Sequence, residues 1–159
     1  MSIELFVALS ALIISILSLL VSLFFYLKDH ERRRKQATIE YFESMTSTLF
    51  EIQAKFNDKF SQEQIAISEL EAHPELLKDA TAILSAFERF SVGVNARVFD
   101  FDLINRMAGS YLIFLYSRFS PYIEKIRKDA SRTRSYEEFE HLVSRIKKAR
   151  NPITKNGNI

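Results

Sequence analysis

Lys125, Arg127, Lys128, Arg132 and Arg134 place five cations within ten residues, flanked by Tyr122 and Tyr136. Basic side chains beside stackable rings are the ingredients of a site for anions or single-stranded nucleic acid. The same residues also suit a solvated basic face, or a surface that attracts anionic lipid headgroups. A second basic cluster, Lys28, Arg32, Arg33, Arg34 and Lys35, directly follows an apolar run. It reads first as a topology signal and second as a ring of positive charge at a pore mouth. Within the apolar run, Ala8, Ala11, Ser15, Ser18 and Ser22 form a seam with steps of three and four residues. Small side chains in such a seam let helices approach closely in lipid, where the hydrophobic effect gives them no reason to associate. With four or more copies the same hydroxyls can line a lumen. A membrane serine can also bond the carbonyl four residues back and need no neighbour.

Reaction chemistry is sparse elsewhere. His30, His73 and His141 are isolated, and none has the i, i+4 partner of a helical metal site. The chain has no cysteine, which excludes disulfides, thiolate nucleophiles and cysteine-ligated zinc. Asp100 with Asp102 reads as helix capping, and Glu137 with Glu138 as favourable charge in a first turn. No glycine-rich phosphate loop, nucleophile elbow or kinase-like string occurs. No cofactor, metal or catalytic residue is expected, and the protein is not expected to be an enzyme.

The elements that carry these residues follow from periodicity. Residues 5–27 are 23 consecutive uncharged positions, about 35 Å of helix and enough to cross a bilayer core of about 30 Å. A cleaved signal peptide should begin with basic residues, whereas only Glu4 precedes this run. The basic collar after it puts the N-terminus outside and the rest in the cytoplasm, as a single-pass membrane protein. Residues 28–35 carry five cations against two anions, residues 36–119 seven against twelve, and residues 120–159 ten against five. An acidic middle thus lies between two basic blocks.

Three glycines and three prolines leave little material for turns, so an all-α protein is expected. The reading is a transmembrane helix at 1–28, a juxtamembrane helix at 29–60, a cytoplasmic helical bundle at 61–150 and a flexible tail at 151–159. Ile39, Phe42, Met45, Leu49, Ile52, Phe56 and Phe60 continue the helical period past the collar. Ser61 with Gln64 resembles a capping box for a helix to about Ala72, and His73-Pro74 opens the next, burying Leu77, Ala80, Leu84, Phe87 and Val94. Asp100 caps a helix with Leu103, Met107, Tyr111, Phe114 and Leu115 on its core face. Ser120-Pro121 is expected to restart the chain as a short helix with Ile123 and Ile126. Ser135 with Glu138 opens the last helix, with Phe139, Leu142, Val143 and Ile146 buried. Glu88 and Arg127, each among apolar neighbours, are candidates to pair inside the bundle.

Residues 83–142 carry a further signal: Leu84, Phe87 and Glu88, then Gly93, then Asp100 and Asp102, then Pro121 and Arg127, then Tyr136 and Phe139. Together with the N-terminal span, this block resembles small bacterial membrane-anchored proteins with a C-terminal helical domain of unknown function. Ser85 stands where that family usually has asparagine. The resemblance extends to the membrane effectors of the Hailong antiphage system. It implies a homo-oligomeric channel in the lipid of a bacterial inner membrane, with four or more copies, regulated by single-stranded nucleic acid oligomers from a partner nucleotidyltransferase. It carries over no catalytic residue. The alternative function is a membrane-tethered interaction or sensor module that recruits a cytoplasmic partner without conducting ions.

Overall fold

The computed structural model describes residues 3–60 and 63–151. Among them there are five helices and no strand: α1 (Ile3–Lys59), α2 (Ile67–Glu71), α3 (Pro74–Asn95), α4 (Phe101–Arg127) and α5 (Glu137–Arg150). The chain divides into two units, Met1–Gln36 and Ala37–Ile159. The expected Ser61 cap and the tail beyond Asn151 lie outside the described residues.

The first unit is helix alone. From Phe6 to Leu27 every side chain except the half-buried Ser10 is exposed, so the chain covers almost none of its most apolar surface. This helix is long and apolar enough to cross a membrane. Leaving that much contiguous apolar surface in water would be strongly unfavourable, and lipid or other protein must cover it.

The second unit packs the C-terminal part of α1 with α2, α3, α4 and α5 around one core. Phe42, Leu49 and Phe56 recur every seven residues and are buried, with Met45 and Ile52 half-buried beside them. Pro74 stands in the first turn of α3, where its missing N–H costs nothing. Residues 63–66 are not helical. Ile65 is fully buried and its N–H donates to the Arg118 carbonyl at 3.0 Å, which holds residues 63–66 out of helix until α2 begins at Ile67.

Two expectations for α4 are corrected. Pro121 does not break the helix, which runs unbroken from Phe101 to Arg127. A proline leaves the carbonyl four residues back without its N–H. That carbonyl, of Ser117, accepts the Ser120 hydroxyl at 2.9 Å, and the next, of Arg118, accepts Ile65 N–H. The core face is also rotated. Ile104, Ala108, Leu112, Leu115, Phe119 and Ile123 are buried, while Met107 and Phe114 are exposed and Leu103 and Tyr111 half-buried. The rest of the cap reading for α4 holds: Asp100 accepts Leu103 N–H at 3.0 Å.

Helix α5 buries Phe139, Leu142, Val143 and Ile146 as its spacing requires. Its cap comes from another helix. Tyr136, the N-cap residue, is left-handed (φ 61°) and supplies no side-chain bond. Instead the Glu88 carboxylate on α3 accepts the N–H groups of Glu138 (3.2 Å) and Phe139 (2.8 Å). An anion at the positive end of a helix, bonded to its free donors, is favourable on both counts. Glu88 therefore does not pair with Arg127, which donates to the Ser135 carbonyl and to Glu140. Glu88→Ala is expected to cost about 1–2 kcal/mol, and Glu88→Gln, which keeps an acceptor, about half that. Urea midpoints followed by circular dichroism of the full chain in detergent check both.

Candidate functional site

The seam lies on one face of α1. At 3.6 residues per turn, Ala8, Ala11, Ser15, Ser18 and Ser22 fall within an arc of about 80°. All five are exposed. Ser15 Oγ donates to the Ala11 carbonyl at 2.9 Å, and Ser22 Oγ to the Ser18 carbonyl at 2.8 Å. These two hydroxyls are satisfied within their own helix, which leaves the stripe weakly polar.

The collar follows directly. Phe24, Phe25 and Tyr26 end the apolar stretch, as aromatic side chains do at a membrane–water boundary. The Lys28 ammonium lies 6.0 Å from the centre of the Phe24 ring. Arg33 pairs with Asp29 at 2.7 Å and Lys35 with Glu31 at 2.5 Å, each four residues apart on α1. Part of the collar's charge is thus neutralised locally, while Arg32 remains exposed and Arg34 is half-buried.

Three of the five C-terminal cations are paired with carboxylates. Lys125 pairs with Glu71 on α2. Arg127 binds Glu140 at 2.7 Å and the Ser135 carbonyl at 2.9 Å, holding the segment before α5. Burial lowers the Arg127 pKa, but the bond and charge of Glu140 outweigh it, and the net shift is upward. Arg134 pairs with Glu137 at 2.5 Å. Lys128 and Arg132 are exposed and make no ion pair among the described residues. Lys125 and Arg132 border a cleft of about 200 Å³ with Tyr122, Leu77 and Ile126. Among the described residues no group of three or more His, Asp or Glu side chains is placed to hold a metal.

The most constrained cation is Arg118, which sequence reasoning missed. It is 5 % exposed and crosses from α4 to the end of α1, donating to Asn57 Oδ1 (2.8 Å) and to the carbonyls of Phe56 (2.9 Å) and Phe60 (2.8 Å). The Phe56 carbonyl already accepts Phe60 N–H at 2.9 Å, so Arg118 adds a second donor there, and both carbonyls lie at the negative end of α1, which welcomes positive charge. Burial lowers the Arg118 pKa. A signal was present: Arg118 shares a helical face with Leu115 and Tyr122. Tyr111 lies two turns before Arg118 on α4, and burial pushes its phenol up to about 12. The fold favours the neutral phenol, so Tyr111's contribution to stability is intact below its ordinary value of 10.0 and lost as pH rises towards about 12. Spectrophotometric titration of the tyrosines should show a late phase near pH 12 that Tyr111→Phe removes.

These elements can be set beside known proteins. A domain of unknown function, DUF4760, matches residues 5–146, from the start of the apolar run into α5. The chain belongs to the DUF4760 family. Membership covers the seam, the collar, Arg118 and the C-terminal cations within a single domain definition. No curated protein and no solved structure matches the chain. DUF4760 carries no assigned activity, and nothing links it to the Hailong system.

Proposed function

We propose that this DUF4760 protein is a self-associating, single-pass membrane protein whose helical bundle controls an ion path formed by its spans. One observation carries the reading: the apolar part of α1 is uncovered by its own chain and bears a small-residue seam, and the same unbroken helix ends within a packed bundle. A stripe of small residues is a means of bringing copies together in lipid. An unbroken helix gives a change in the bundle a direct mechanical route towards the span. The basic collar supports a cytoplasmic bundle and an outward N-terminus.

Four or more copies would be needed to enclose water. Native mass measurement in detergent tests this, and tracer flux from liposomes tests conduction. Ser18→Leu with Ser22→Leu should abolish flux, and parental flux in that variant would refute the lumen.

The Ser15 and Ser22 hydroxyls, satisfied within their own helix, favour a second reading. In it the seam only packs spans, and the protein is a tether that recruits a cytoplasmic partner. A monomer or dimer without flux would select it. An antiphage role rests on the resemblance alone, and a nucleic-acid gate on the resemblance and on the basic residues beside Tyr122 and Tyr136. A nucleic-acid site would use Lys128 and Arg132 first, and its binding should fall steeply with salt.

A further inference from the structure

Three side chains of the bundle carry buried donors left over among the described residues: Gln53 Nε2 on α1, which turns one N–H towards the Tyr111 oxygen and keeps a second, and the Tyr111 hydroxyl and Arg118 Nε on α4. All three residues border one small cleft of about 50 Å³, walled mainly by Phe56, Ile83, Leu115 and Phe119. Leaving a buried donor unbonded is costly, more so when it is charged. Arg118 has no carboxylate partner among the described residues; its bonds go to an amide oxygen and two carbonyls. The end of α1 offers it about half a unit of negative charge, and the remainder is unmatched.

The chemistry of these atoms selects the occupant. A guanidinium N–H, a phenol and an amide NH₂ together offer three donors. A water would accept at most two of them and bring two protons of its own to largely apolar walls. A small anion accepts all three and supplies the missing charge. The phenol retains its proton to about 12 and so can donate at neutral pH. Gln53 and Tyr111 also border a wider groove of about 660 Å³ beside Phe50 and Met107. We propose that Gln53, Tyr111 and Arg118 form a binding site for one monovalent inorganic anion of halide size at the C-terminal end of α1.

The test uses the full chain in detergent, held in sodium gluconate and titrated with sodium chloride or bromide at constant ionic strength. Thermal unfolding should rise saturably with either halide. Tyr111→Phe and Gln53→Leu each remove one donor while keeping most of the side-chain volume, so both should fold. A hydrogen bond to a charged group is worth about ten- to a hundredfold in affinity, and the titration midpoint should rise accordingly in each variant. Bromide soaked into crystals should give an anomalous peak within reach of the three donors. Equal stability in chloride and gluconate would overturn the site, as would a saturable rise that both variants retain.

Discussion

Arg118→Ala is expected to lower the unfolding free energy by about 3 kcal/mol and the melting temperature by roughly 10 °C. The guanidinium makes three charge-assisted bonds across the α1–α4 contact, two of them to carbonyls near the end of α1. Truncation leaves the Phe60 carbonyl without this donor and opens a void beside Phe119. Arg118→Met separates the two effects. It refills most of the volume but restores no donor, so most of the loss should persist. Because buried charges are sometimes replaced by apolar side chains without penalty, this arm is informative. Parental stability in Arg118→Met would show that packing, and not the guanidinium, secures the end of α1.

Phe139→Ala is expected to cost about 3–5 kcal/mol, the range for removing a fully buried ring. Phe139 has no exposed surface, stacks on Phe87 at 5.6 Å and meets Tyr116 edge-on at 5.5 Å. Its loss would separate α5 from α3 and α4 at the point where Glu88 caps it. Phe50→Ala is the contrasting case: Phe50 is 70 % exposed, and its removal should change stability by no more than about 0.5 kcal/mol. Denaturant unfolding of both variants, with the slope as well as the midpoint, checks the pair.

The sequence is legible where one physical rule acts alone. The span announces itself by an uninterrupted uncharged run, and Phe139, Leu142, Val143 and Ile146 reveal their face by period. It misleads where a distant residue overrides a local signal. Pro121 ends helices when the freed carbonyl has no substitute donor; here Ser120 supplies one, and α4 continues. Ser135 and Glu138 have the spacing of a capping box, yet Glu88, fifty residues earlier, occupies the donors of Glu138 and Phe139. Met107 and Phe114 look like core in a single helix, because periodicity alone does not say which apolar side the partners will cover. The basic group 125–134 is less free than its sequence suggests, since Glu71, Glu140 and Glu137 each pair with one of its cations. Arg118 was hidden for the opposite reason: a lone cation on an apolar face has no motif.

The chain contains no cysteine, so single cysteines can be introduced one at a time through residues 6–27 and oxidised in native membranes. Crosslinked dimers should peak at Ala8, Ala11, Ser15, Ser18 and Ser22 and fall away on the opposite side, at Leu9, Ile13, Leu20 and Phe24. Equal crosslinking around the whole helix, or none at any position, would contradict association along the small-residue face.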